Sequence, residues 1–197
     1  LLTACIVYVQ GSAGNLVARS LTLDPDTAPY GKAITAKERL EEYNNWNSDN
    51  WSLSEKHLNI NYVRGEGNFT DYEQSTTKLV QRLHPIEFLL GEQTLWTGDY
   101  KWKNLIFIQP NDISTITRLA ASKRNDLNHK SQIKEELETY KKLLPQATYT
   151  LPFTDLLDKS KFCNHIQSLC ETIDVKYYQD YVKQIWTKWY NETCKLI

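Results

Sequence analysis

Residues 5–22 read Cys5-Ile-Val-Tyr-Val-Gln-Gly-Ser-Ala-Gly-Asn-Leu-Val-Ala-Arg-Ser-Leu-Thr22, and this stretch decides the fold. Cys5 to Val9 is a short apolar run rich in β-branched residues, the pattern of a buried parallel strand. Gln10-Gly11-Ser12-Ala13-Gly14-Asn15 then interrupts it with small residues, and Leu16, Val17, Ala18 and Leu21 resume at helical spacing. Strand, small-residue loop and helix in that order make a surface loop that can cradle an anion. Gly11, Ala13 and Gly14 let the backbone come close. The first N–H groups of the helix have no intrahelical partner, and the helix dipole favours negative charge there. The loop is not a nucleoside-triphosphatase loop, because no Lys follows Gly14 as G-x-x-x-x-G-K-[ST] requires. Nor is it G-x-G-x-x-G, since the next glycine is Gly31. The same spacing also suits a tight strand-to-helix turn in which Gly11 and Gly14 serve only the backbone.

Working outward, the 197 residues fit one domain, 1–197, large enough for a substantial core. Lys and Arg number 23 against 24 Asp and Glu, so the basic excess usual in nucleic-acid binding is missing and no nucleic-acid partner is expected. No apolar run is long enough to span a bilayer. Leu1-Leu2-Thr3-Ala4-Cys5 resembles a lipoprotein cleavage site, but it runs smoothly into the strand and is read as strand. Cys5, Cys163, Cys170 and Cys194 form no CxxC pair or Cys/His cluster of zinc spacing, so no metal is expected. Cys163 and Cys170 are about 10 Å apart along a helix, too far for a disulfide. Free thiols point to a reducing compartment and a cytoplasmic location. The chain contains no Met, for which we have no physical account.

Strand-like and helix-like segments alternate. Lys78–Leu83 reads as a strand ended by His84-Pro85, Asn104–Ile108 as a second clear strand, and Ala147–Phe153 as a third. Helices are predicted from Thr35 to Tyr43, Asp112 (a good N-cap) to Lys123, Ser131 to Leu144, Lys161 to Thr172 and Tyr177 to Thr193. Residues 44–75 are polar and aromatic and read as an excursion from the sheet, while 86–101 give no clear pattern. The order implies an α/β domain, with a mainly parallel central sheet and helices on both faces.

Three segments of this chain together resemble the sulfotransferases that use 3′-phosphoadenosine-5′-phosphosulfate (PAPS). Val7-Tyr8-Val9-Gln10-Gly11-Ser12-Ala13-Gly14-Asn15-Leu16 looks like that family's 5′-phosphosulfate loop. Leu105-Ile106-Phe107-Ile108-Gln109-Pro110-Asn111-Asp112-Ile113-Ser114-Thr115-Ile116-Thr117 looks like its 3′-phosphate segment. Leu151-Pro152-Phe153-Thr154-Asp155-Leu156-Leu157 resembles its later strand with an acidic turn. The resemblance implies a P-loop-like fold, PAPS as co-substrate and transfer of a sulfuryl group to a hydroxyl. It assigns donor binding to Gln10, Gly11, Ser12, Ala13, Gly14, Asn15, Gln109 and Thr117. Two features depart from the pattern. The first loop lacks the usual Lys or Arg and offers only Gln10, Ser12 and Asn15. Gln109 stands where the 3′-phosphate segment usually begins with Arg, and Thr117 replaces a Ser. Charge-assisted bonds are roughly twice as strong as neutral ones, so either cations come from elsewhere, or the donor differs, or the site is weak. Arg19, Arg118, Lys123 and Arg124 are the candidates.

Transfer to a hydroxyl needs a base, and His84 is the first candidate, held at a strand end by Pro85 and titrating in the right range when unperturbed. It equally suits a capping role. Glu87 is the second candidate, and Arg19 is assigned to offset charge on the leaving phosphate. His57, His129 and His165 read as solvated or structural, and Asp155 as an orienting residue or a helix cap. Trp46, Trp51, Trp96 and Trp102 flank the expected cleft in sequence and offer flat faces to a small ring-bearing or carbohydrate acceptor. Trp186, Trp189, Tyr178, Tyr181 and Tyr190 read as packing. Two other functions fit the same residues: a P-loop kinase-like phosphotransferase, and a catalytically inactive relative that binds a nucleotide or a partner. The second is favoured by the neutral loops at Gln10 and Gln109.

Overall fold

The computed structural model describes residues 2–28, 35–44, 78–86, 88–89, 102–122 and 129–194. The elements run β1 (Leu2–Val7), α1 (Gly14–Leu21), β2 (Thr27–Ala28), α2 (Ala36–Asn44), β3 (Lys78–Leu83) and β4 (Trp102–Gln109). They continue α3 (Ile113–Ser122), α4 (His129–Leu143), β5 (Tyr149–Pro152), α5 (Phe153–Leu156), α6 (Lys159–Ile173) and α7 (Gln179–Thr193). Most of the expected excursion at 44–75, and of the segment 86–101, lies outside the described residues.

The sheet has the order β2-β3-β1-β4-β5, and each of these pairs is parallel. β1 lies at its centre, with Val7 in register with Leu83 on one side and Phe107 on the other. Alternate β1 side chains therefore serve two cores. Ala4, Ile6 and Tyr8 join Leu16, Val17 and Leu21 of α1, Phe162, Ile166 and Leu169 of α6, and Val182, Ile185 and Trp189 of α7. Cys5, Val7 and Val9 join Leu83, Phe107 and the Ile133, Tyr140 and Leu143 stripe of α4. Burial on both faces is why Ala4 to Val9 is an uninterrupted apolar run.

Three of the helices start where polar side chains satisfy their first N–H groups. Thr35 and Glu38 form a reciprocal capping box at α2, with bonds of 2.9 and 3.2 Å. Asp112 Oδ1 accepts from Thr115 N–H at 3.0 Å at α3, and Asp158 Oδ1 accepts from the Ser160 and Lys161 N–H groups at α6. α4 gives way to a 3₁₀ turn at Leu144–Gln146, with Pro145 inside it. In the connections, β1, β2 and β3 build one half of the sheet, and the chain then crosses to β4 and β5 on the other side of β1. The ends of β1 and its neighbours thus form a topological switch point, where parallel sheets open a crevice at their carboxyl edge.

Candidate functional site

Every strand ends at that edge, so the loop after β1, His84 after β3 and Gln109 at the end of β4 are brought to one side of the sheet. The chain leaves the sheet at Val7, but Tyr8 and Val9 stay buried under the loop. Gly11 has φ +91°, and a Cβ there would lie 2.4 Å from the Ile116 carbonyl oxygen, so the loop packs on α3 through a position that only glycine fills comfortably. Ala13 adopts a left-handed conformation at φ 64° and accepts from the Leu16 N–H at 3.0 Å. The N–H groups of Ala13, Gly14 and Asn15 thereby open α1 with no intrahelical acceptor.

The loop is not the open surface cradle expected from its composition. Ser12 is fully buried, and its hydroxyl donates to the Val9 carbonyl at 2.6 Å. Gly14 is buried against the Tyr8 ring. The Gln10 N–H donates to Glu136 Oε2 of α4 at 2.6 Å, so an internal carboxylate holds the loop's first amide. The side-chain oxygens of Gln10 and Asn15 are buried with no hydrogen-bond partner among the described residues. They are two orphaned amide ends in one loop. A ligand that both donates and accepts can satisfy them, because a rotated amide presents NH₂ in place of oxygen.

His84 joins this loop. Its ring lies 4.5 Å from the Tyr8 ring, centroid to centroid, and its Nδ1 is 3.4 Å from Glu136 Oε1. The imidazole is about one quarter exposed (26%) while the Glu136 side chain is almost completely enclosed (2%). A helical turn begins at once after His84, whose carbonyl accepts from the Phe88 N–H at 2.9 Å. Arg82, two residues back on β3, donates to the Tyr8 hydroxyl, and its guanidinium carbon lies 5.8 Å from the centre of that ring.

Arg19 is placed differently from its sequence assignment. It is fully buried in the last turn of α1, with its guanidinium carbon 5.6 Å from the centre of the Tyr43 ring, so its charge sits beside α2. Arg118 is exposed on α3, and Glu87, Lys123 and Arg124 lie outside the described residues. Thr117 uses its hydroxyl to donate to the Ile113 carbonyl at 2.8 Å within its own helix, and Gln109 is exposed in register with Pro152. Asn111 and Thr154 are bonded reciprocally at 2.8 and 3.1 Å, which locks the turn after β4 to the start of α5. Trp102 starts β4 opposite Leu2, at the amino edge of the sheet, and so does not flank the loop. Trp46, Trp51, Trp96 and His57 lie outside the described residues. Trp189 is core, and Trp186 donates from Nε1 to the Leu156 carbonyl at 2.8 Å, both in keeping with packing roles.

Asp155 joins a separate group. Its Oδ2 is 3.1 Å from His165 Nε2 and its Oδ1 is 3.2 Å from Lys161 Nζ, while His165 Nδ1 meets the Tyr149 hydroxyl at 2.8 Å. The hydrogen bond with His165, then Lys161, holds the Asp155 carboxyl below its ordinary value. None of the four cysteines is in a disulfide, and burial of Cys170 in the core pushes its thiol up to about 12. Among the described residues no three His, Cys, Asp or Glu side chains come together as metal ligands, and no helix is long and apolar enough to cross a membrane.

Two contributors to the site carry no motif. Glu136 is the charged member of a buried stripe, Ile133, Glu136, Tyr140 and Leu143, on a helix whose other acids face outward. A lone carboxylate at a core position of the helical repeat is the sequence signal for it. Arg82 shares a strand face with His84 through the two-residue alternation of β3. Comparison with protein-family models, curated proteins and solved structures gives no match to this chain.

Proposed function

We propose that the chain transfers a sulfuryl group from PAPS to an acceptor hydroxyl at the carboxyl edge of the sheet, on a P-loop-like fold. The observation that carries this reading is the meeting of His84 with the loop after β1: one buried carboxylate, Glu136, lies 2.6 Å from the Gln10 amide and 3.4 Å from the imidazole. A candidate base thus sits beside a candidate anion loop, at the point of the sheet where ligands bind.

In the reaction the acceptor oxygen attacks sulfur, and the new O–S bond forms as the bond from sulfur to the bridging phosphosulfate oxygen breaks. The acceptor proton passes to His84 Nε2. The electron pair stays on the bridging oxygen, and adenosine 3′,5′-bisphosphate departs. Charge developing on that oxygen calls for a cation. Arg82, at the Tyr8 hydroxyl, takes the role that the sequence assigns to Arg19. The amides at the start of α1, with Gln10 and Asn15, hold the 5′-phosphosulfate, and Thr117 contacts the 3′-phosphate. A carbohydrate is among the hydroxyl acceptors this chemistry serves.

The test is thermal stabilisation by adenosine 3′,5′-bisphosphate beside ATP with magnesium. At a hundred times its dissociation constant a ligand adds about 2.7 kcal/mol, or roughly 5–10 °C for a chain of this size. Stabilisation by the bisphosphate alone is expected. Stabilisation by ATP with magnesium alone supports the kinase-like alternative, and no response to either removes the nucleotide site. A second reading, binding without transfer, is favoured by one specific observation: a carboxylate, Glu136, and not a cation stands at the first amide of the loop, where the leaving oxygen would need positive charge. Stabilisation by the bisphosphate without any sulfuryl transfer would establish it.

A further inference from the structure

We propose that Glu136 is a positioning residue that ties the Gln10–Asn15 loop to His84 and fixes the tautomer of that imidazole. The consequence for turnover rests on the sulfuryl-transfer reading, whereas the tautomer does not.

Glu136 is 1% exposed, and a carboxylate so deeply buried persists only with good partners. The same helix carries Glu135 and Glu138 on exposed positions, so the buried acid is not a by-product of a charged sequence. Its two oxygens divide their work. Oε2 accepts from the Gln10 N–H at 2.6 Å, and Oε1 faces His84 Nδ1 at 3.4 Å. At that distance the second contact is not a closed hydrogen bond: it orients the ring by charge, and a small movement of the imidazole closes it. A carboxylate can only accept, so the nitrogen facing it must carry the hydrogen. Neutral His84 is then the Nδ1–H tautomer, with its lone pair on Nε2, the atom a general base needs. Because the same carboxylate pins the Gln10 amide, the loop and the base are set relative to each other by one side chain.

Glu136→Gln separates these functions with no change of shape. The Gln10 N–H is a donor only, so the amide oxygen must remain on it. The amide NH₂ is then turned to His84 Nδ1, which has to accept. The imidazole proton moves to Nε2 and the lone pair needed for catalysis is lost. An orienting acid exchanged for its amide elsewhere costs on the order of 10⁴-fold in turnover for this reason.

The experiment is ¹⁵N NMR of the imidazoles in the full chain, with His84 assigned by difference against His84→Gln. Spectra are recorded at a pH high enough that the shifts no longer move. The parent is expected to show the Nδ1–H tautomer and Glu136→Gln the Nε2–H tautomer, with kcat down on the order of 10⁴-fold and bisphosphate affinity within a few-fold. An Nε2–H tautomer in the parent overturns the proposal, and this needs no variant to fold. The same tautomer in both folded proteins, or a kcat unaffected by Glu136→Gln, also overturns it. If the tautomers invert as expected and no sulfuryl transfer is found with the parent, the positioning role stands and the transfer reading fails.

Discussion

The phenol ring of Tyr8 occupies the space that a side chain on Gly14 would need: a Cβ built on Gly14 would lie 2.3 Å from Tyr8 Cγ. The ring has little freedom to yield, lying 4.5 Å from the tilted His84 ring and bonded to Arg82. Gly14 therefore keeps the first turn of α1 in contact with the residue that follows β1. Gly14→Ala should cost about 2 kcal/mol by overpacking, which lowers Tm by roughly 4–8 °C. Combined with Tyr8→Leu, the loss should be less than additive, because the two share one contact. A folded Gly14→Ala protein as stable as the parent would show that the ring moves aside freely.

Tyr140 on α4 offers a test of the opposite sign. It is 3% exposed, its ring meets Phe107 edge-on at 5.4 Å, and its hydroxyl has no hydrogen-bond partner among the described residues. Burial raises its pKa and the phenol stays protonated. An unsatisfied hydroxyl in a core costs desolvation without return, about 1–3 kcal/mol. Tyr140→Phe keeps the ring contact and should leave stability unchanged or raise it by about 1 kcal/mol. Urea unfolding decides the matter, and a clear loss of stability would mean that the hydroxyl is bonded after all.

Asp155 gives the fold a pH dependence of defined sign. Its folded carboxyl is held below the ordinary 3.8 by the hydrogen bond with His165 and then by Lys161. A depressed carboxyl contributes stability that is fully present above the unfolded value and is lost as pH falls through the folded one. The parent should therefore weaken as pH drops below about 4. Asp155→Asn should be less stable at neutral pH and lose less on acidification. Denaturant midpoints between pH 3 and 7 measure this, and parallel curves for the two proteins would argue against the linkage.

The sequence reading succeeded where one local rule governs. Lys78–Leu83 has the predicted bounds, and His84-Pro85 sets its end. β4 and β5 were recognisable as apolar runs, though β4 begins earlier, at Trp102, where pairing with Leu2 extends it. β1 was read as Cys5–Val9 and is Leu2–Val7, since burial persists into Tyr8 and Val9 after sheet pairing stops. β2 was missed because two residues beside Asp24-Pro25-Asp26 carry no periodicity. The position of His84 and of the loop at strand ends was legible in the sequence. Arg19 was not, because a charged residue is expected outside, whereas α1 is covered on nearly every side. Glu136 was not legible either, since its role depends on contacts with residues 126 and 52 positions away.

The last prediction concerns His84 and Arg82 together, because the transfer reading gives them different tasks on one strand. His84 takes the acceptor proton, so His84→Ala should lower kcat by about 10²–10⁴-fold while bisphosphate binding persists. His84→Gln keeps a polar side chain that cannot take up the proton in the same way, and should fail almost as badly. Arg82 works on the leaving oxygen, so Arg82→Ala should also lower kcat, and should weaken the bisphosphate more than either His84 variant does. It also frees Tyr8 from its bond, so the second test is Arg82→Lys: a point charge retained there should restore part of the rate without restoring guanidinium geometry. Radiolabelled sulfuryl transfer with the intact chain reads both effects. If both His84 variants turn over like the parent, His84 only caps the turn to Phe88, and Glu87 becomes the residue to replace.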